Sequence, residues 1–208
     1  MKKRKVVWYI LVGMNLMLAG VLGLQYGKKQ LLQESIAEKV LRFHVIANSD
    51  STEDQALKLK VRDAVGEEMA KVLLDARNRT DSEKLVTENL CDIKETAEKI
   101  IAEAGYDYEV CAYIGDVDFP VKTYGEYTFP AGEYEALEVV IGDGAGKNWW
   151  CVMYPNMCFS GSVYEVVDED AKEALREVLS EEEYEEVFSK GDYEVQCKYL
   201  SFLNGLIQ

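Results

Sequence analysis

The sequence predicts an α+β domain behind an export segment: a mixed, mainly antiparallel sheet with two long helices packed on one face. Three patterns carry that expectation. Short runs beginning near Leu41, Tyr108 and Leu137 alternate apolar and polar residues, the period of a strand with one buried side. Between the first two, apolar residues recur at helical spacing. Ahead of both, a basic start leads into a run with no charge, the order seen in export signals.

Residues 1–27 read as a signal peptide or signal anchor, 28–40 as a linker or stalk, and 41–208 as one extracytoplasmic domain. Lys2, Lys3, Arg4 and Lys5 precede the charge-free run Val6–Leu24, which as a helix extends roughly 28 Å, about the thickness of a bilayer core. No Ala-x-Ala closes the run, so cleavage and retention as an anchor both fit. Gln30–Lys39 then leads away from the membrane.

The first strand, Leu41–Asn48, sets Leu41, Phe43, Val45 and Ala47 on an apolar face and Arg42, His44, Ile46 and Asn48 on the other. Arg42 is expected either exposed or paired with a carboxylate such as Asp50 or Asp63, since an unpaired buried cation is costly. Ser51 is placed to cap a helix from about Thr52 to Ala76, with Asp54 in the acidic position of a capping box. Its stripe is Leu57, Val61, Ala64, Val65, Met69 and Val72. A second helix is expected from Asp81 or Ser82 to about Ala104, ended by Gly105.

Tyr108–Ile114 alternates as a strand, and Phe119-Pro120 and Phe129-Pro130 bracket a looser stretch with room for a short strand over 122–128. Leu137, Val139 and Ile141 form the apolar side of the next strand. A glycine-rich segment, Gly142 to Gly146, then leads to a strand starting near Asn148, and the pair reads as a hairpin. Acidic helices over 168–179 and 180–189 are expected to present solvated first turns. Tyr193–Leu203 closes the chain as strand or helix.

Composition restricts the function. The formal net charge of -15 argues against nucleic acid, whose binding needs clustered Lys and Arg. One histidine, His44, is too few for a multi-histidine metal site, and no cofactor is expected. Gly142–Asn148 fails as a phosphate loop: Ile141 stands where the first glycine belongs, Asn148 where Ser or Thr belongs, and a strand rather than a helix follows. Cys151 or Cys158 as nucleophile with His44 as base and Asn48 or Asp50 as orienter is a possible hydrolase, but no helix N-terminus follows either cysteine to lower its pKa. The alternatives are a disulfide between Cys151 and Cys158, which flank Tyr154-Pro155-Asn156, or buried thiols. A purely structural envelope protein is the third class.

Two blocks, Arg42-Phe43-His44-Val45-Ile46-Ala47-Asn48-Ser49-Asp50-Ser51 running on from Asp54 to Asp63, and Gly146-Lys147-Asn148-Trp149-Trp150-Cys151-Val152 with Pro155 and Cys158, closely resemble the stage II sporulation protein R family of endospore-forming bacteria. The resemblance spans roughly Leu41 to Cys158. It implies a non-catalytic signal made in the forespore and exported into the intermembrane space. Its implied partner is a membrane-embedded aspartic protease, stage II sporulation protein GA, which processes the sigma-E precursor, with no small-molecule substrate. Trp and Arg dominate many interfaces, and Arg42, His44, Asn48, Asn148 and Trp149 are the expected partner-binding patch.

Overall fold

The computed structural model describes residues 2–157 and 169–188. Helix α1 (Lys2–Ala37) is followed by β1 (Leu41–Ile46), α2 (Thr52–Val72), a 3-10 turn at Leu73–Asp75, α3 (Arg79–Glu88) and α4 (Leu90–Glu103). Strand β2 (Val110–Phe119), a small hairpin of β3 (Lys122–Tyr124) and β4 (Tyr127–Phe129), β5 (Gly132–Ile141) and β6 (Asn148–Tyr154) come next. Helices α5 (Glu169–Val178) and α6 (Glu181–Phe188) follow. The expected α+β architecture is present. Four strands form one sheet in the order β2-β5-β1-β6, mainly antiparallel, with β1 and β5 parallel.

The expected hairpin between the strand at Leu137–Ile141 and that at Asn148 does not form. Strand β1 lies between them, paired in parallel with β5 and antiparallel with β6. The reason is geometric. Residues 142–147 are longer than a two-residue hairpin turn needs, and suffice to step over one strand, about 10 Å across two strand spacings. The crossing is fastened to the end of β1, where the amides of Ala145 and Gly146 donate to the carbonyls of Asn48 (3.1 Å) and Ala47 (2.9 Å). Placed centrally, β1 satisfies both backbone edges.

One face of the sheet carries α2, α3 and α4. Leu57, Val61, Val65 and Met69 of α2 meet Val86, Ile93, Ala97 and Ile101, and all pack on Phe43, Val45, Leu137 and Val139. Each large side chain buried here contributes about 1.5–3 kcal/mol gross. Ser51 caps α2 as expected, its Oγ accepting from the Asp54 amide at 3.1 Å. The second expected helix is two. Asn89 closes α3 and opens α4 with its side-chain amide donating to the Leu85 carbonyl at 2.7 Å; this competition for backbone groups is why Asn interrupts helices. Gly105, at φ 86, ends α4 with its own amide bonded to the Ala102 carbonyl and that of Tyr106 to Ile101, a Schellman closure.

The opposite face is also covered. Ile36 and Val40, the β3–β4 hairpin with Tyr127 and Phe129, and Leu175, Leu179 and Val187 pack against Phe119, Tyr134, Ala136 and Val152. Within residues 28–40, α1 runs unbroken towards the domain, and Leu32, Ile36, Ala37 and Val40 belong to this layer. Gln33 donates to the Glu133 carbonyl at 3.1 Å. Glu183 of α6 accepts from Ser35 Oγ and Lys39 Nζ, both at 2.5 Å, and from the Ser180 amide at 2.6 Å. The first turn of α6, expected to be solvated, thus holds a buried carboxylate. Burial opposes its charge, but the hydrogen bonds from Lys39, Ser35 and Ser180 bring its pKa down to about 2. The same helix, over Trp8–Ala37, is long and apolar enough to cross a membrane, which fits a signal or membrane anchor.

Candidate partner-binding site

Both sequence blocks meet at the C-terminal end of β1, where two loops interlock. Asn48 is the hub. Its Nδ2 donates to Asp54 Oδ2 at 3.0 Å, and its Oδ1 accepts the Asp143 amide at 3.0 Å. Ser49 Oγ donates to the same Asp54 oxygen at 2.5 Å. These hydrogen bonds, that from Ser49 first and then Asn48, hold the Asp54 carboxyl below its usual range. Asp50 Oδ1 accepts the Lys147 amide at 2.7 Å, while Lys58 Nζ donates to the Lys147 carbonyl at 2.9 Å and to Gln55 Oε1 at 2.7 Å. Burial pushes the Lys58 ammonium down. Two glycines permit this closeness: a Cβ at Gly146 would run into the Ser49 carbonyl, and Gly142, at φ 57, lies against the Asn48 side chain.

The face of β1 away from the long helices holds the charged residues. Arg42 is fully buried, in a box of rings. Its guanidinium carbon lies 4.2 Å from the centre of Phe119, 4.9 Å from Tyr134, 5.2 Å from Phe129 and 5.9 Å from Tyr124. Nε donates to the Cys151 carbonyl at 2.9 Å and Nη2 to Tyr124 Oη at 3.1 Å, while Nη1 has no hydrogen-bond partner. Cation–π attraction, worth up to about 2 kcal/mol per desolvated contact, replaces the expected carboxylate. Asp50 and Asp63 are engaged elsewhere, Asp63 with Arg62.

Two residues along, one row of side chains crosses the whole sheet. The register sets Tyr113 of β2 beside Glu138 of β5, Glu138 beside His44 of β1, and His44 beside Trp150 of β6. Tyr113 Oη donates to Glu138, and this hydrogen bond raises the phenol to about 12. His44 Nδ1 lies 2.9 Å from Glu138 Oε2 but its N–H does not point along that line, so the contact is not an aligned hydrogen bond. The Trp150 ring stacks on the imidazole at 3.7 Å. Burial lowers the His44 pKa despite the opposing pull of Glu138, and the ring is neutral near pH 7.

The model of the family described as stage II sporulation protein R matches residues 37–164. The chain is also 33% identical to stage II sporulation protein R of Bacillus subtilis (strain 168) over 184 residues, 85% of this chain and 82% of that protein. The chain belongs to the stage II sporulation protein R family. No solved structure matches it. The family match covers the β1 end, the interlocked loops and the Tyr113–Glu138–His44–Trp150 row. Helices α5 and α6, with the Glu183 contact to α1, lie beyond it.

The expected patch of Arg42, His44, Asn48, Asn148 and Trp149 is not one surface. Arg42 and His44 are interior, on the face opposite Trp149. Trp149 is half-buried on the helix side, its ring 5.4 Å from Phe43 with Arg62 5.1 Å above it. Asn48 is engaged in the loop junction. Asn148, at the start of β6, is exposed, and of the expected residues it is the one whose side chain lies beside the His44 imidazole. Cys151 is buried and disulfide-bonded, whereas Cys91 and Cys111 are free and exposed; Cys158 lies outside the described residues. With its sulfur in a disulfide, Cys151 has no thiolate, and His44 beneath Trp150 is not placed to act as its base. The sequence reading missed Glu138 and Tyr113. The available signal was an acid inside the apolar run Ala136–Ile141, on the same parity as Tyr134.

Proposed function

We propose that this protein is an exported sporulation signal that activates the membrane-embedded aspartic protease stage II sporulation protein GA, leading to removal of the pro-sequence from the sigma-E precursor in the mother cell. The observation that carries the reading is the family match, which includes both sequence blocks and joins them at one structural junction. The unbroken helix from Lys2 into the domain supports export from the forespore into the intermembrane space, with the domain held beside the membrane while α1 is retained. From Leu24 to Gln33 the helix climbs roughly 14 Å, so a retained anchor keeps the domain near its own bilayer.

Co-expression of this protein, the protease and the precursor in a host lacking all three tests the reading. Shortened precursor is expected only when all three are present. Full-length precursor with this protein exported and folded would overturn it. A reporter fused after Gln208 should be active only where the reporter works outside the cytoplasm.

A further inference from the structure

Strand β2 ends the sheet, and among the described residues no strand pairs with its outer edge. It is ten residues long, roughly 33 Å of ladder, without proline and with an unbroken register to β5. The phase of that ladder follows from one bond: the Gly142 amide donates to the Glu109 carbonyl at 2.8 Å. In an antiparallel pair, residues that exchange hydrogen bonds alternate with residues whose amide and carbonyl point away. Val110, Ala112, Ile114, Asp116 and Asp118 therefore turn their backbone groups outward. Long open edges of this kind are ordinarily shortened, bulged, charged or covered, and here only charge, at Asp116 and Asp118, is present among the described residues.

The edge also carries a charge signature. Asp118 lies directly opposite Glu133 on β5, both exposed, and like charges in that relation are unfavourable. Neither has an ion-pair partner among the described residues. By contrast Glu135, opposite Asp116, is neutralised by Arg79. A second copy of this chain would bring the same acids to the same edge, which disfavours self-pairing.

Resting on the protease-activation reading above, we propose that the outer edge of β2 takes an extended segment of the protease's extracytoplasmic part as an added strand, with a Lys or Arg of that segment beside Asp118, its side chain extended towards the Asp118–Glu133 pair. Main-chain hydrogen bonds supply the affinity of such additions and alternate side chains the specificity.

Full-length variants in the co-expression host test this. Asp116→Pro removes one outward N–H and leaves the bonds to β5 intact, a position that tolerates proline; Asp118→Lys reverses the charge without touching the backbone. Thermal melts establish that each is folded. Both folded variants are expected to lower precursor cleavage about tenfold or more, the size of an interface hot-spot loss. Should Asp116→Pro unfold, Asp118→Lys decides alone. Wild-type cleavage by a folded variant overturns the edge and leaves the protease reading standing; a wild-type protein that drives no cleavage overturns that reading, and the edge with it.

Discussion

On one face of β1, Phe43 and Val45 are held by aliphatic side chains of α2 and α4. On the other, Arg42 and His44 are held by aromatic rings, a phenol hydroxyl, a backbone carbonyl and one carboxylate. Both faces are closed to water, yet only the first looks closed in the sequence. The difference teaches that an alternating strand announces its apolar side reliably and its polar side poorly. A third layer, here the end of α1, the β3–β4 hairpin and α5–α6, covers polar side chains when rings and hydroxyls surround them.

The sharpest way to break the comparison is at Arg42. If the box is a structural element, Arg42→Ala leaves a cavity and takes the guanidinium donor from the Cys151 carbonyl, while Tyr124 Oη keeps its bond to the Trp150 carbonyl. A loss of about 3–5 kcal/mol in denaturant unfolding is expected. Arg42→Met, which refills the volume without a charge, should cost under about 1.5 kcal/mol or nothing. Equal losses for the two would mean that the guanidinium's contacts with the rings and the Cys151 carbonyl, rather than the volume it fills, hold the box together.

Acid sharpens it next. His44 is neutral and its folded pKa lies below the ordinary 6.5, so the unfolded chain binds the proton first. That contribution is intact above 6.5 and is lost as pH falls from 6.5 towards the folded value. Glu183 has its pKa lowered from 4.5 to about 2, so its contribution is intact above 4.5 and lost between 4.5 and about 2. Melting temperature should therefore fall in two stages. His44→Phe should flatten the stage between roughly pH 7.5 and 5.5 and leave the lower one. A first stage unchanged by that variant would remove His44 as its cause.

Glu183→Gln separates the layer from the sheet it covers. It weakens the contacts to Ser35, Lys39 and the Ser180 amide, and about 1–3 kcal/mol is expected at neutral pH. The effect should concentrate in hydrogen exchange of α1's last turns and α6, while α2 and α4 keep their protection. Uniform loss across both layers would show that the two faces unfold as one unit.

Much of this fold was legible because its signals are local. The stripe through Leu57, Val61, Val65 and Met69, the Ser51 cap and the Gly105 closure each depend on residues within a few positions. What misled was long-range. The insertion of β1 between β5 and β6 joins segments far apart in sequence, Arg42 with Ala136 on one side and Leu41 with Tyr154 on the other, and no local pattern at Gly142–Gly146 distinguishes a hairpin turn from a loop stepping over a strand. Arg42 shows the same limit: the rings around it come from Phe119, Tyr124, Phe129 and Tyr134, none near it in sequence. The junction was half legible, since both blocks stood out as segments but their interlocking through Asn48 did not.

Two asparagines that the sequence presents as equals give the finest test. Asn48 uses both ends of its side chain, and Asn48→Ala leaves Asp54 and the Asp143 amide short of a partner; about 1–2 kcal/mol should be lost. Asn148 is exposed at the first residue of β6, opposite Ile46, and its replacement should fall within about 0.5 kcal/mol. The activity measurement then reads differently for each. Asn48→Ala lowers cleavage only as far as it lowers the folded fraction, which melting reports independently. A folded Asn148→Ala protein with unchanged cleavage leaves the β1 end as scaffold and directs the search for the contact surface to the edge of β2. Lost cleavage from that folded variant would return the contact to the β1 end, because no stability change accompanies it.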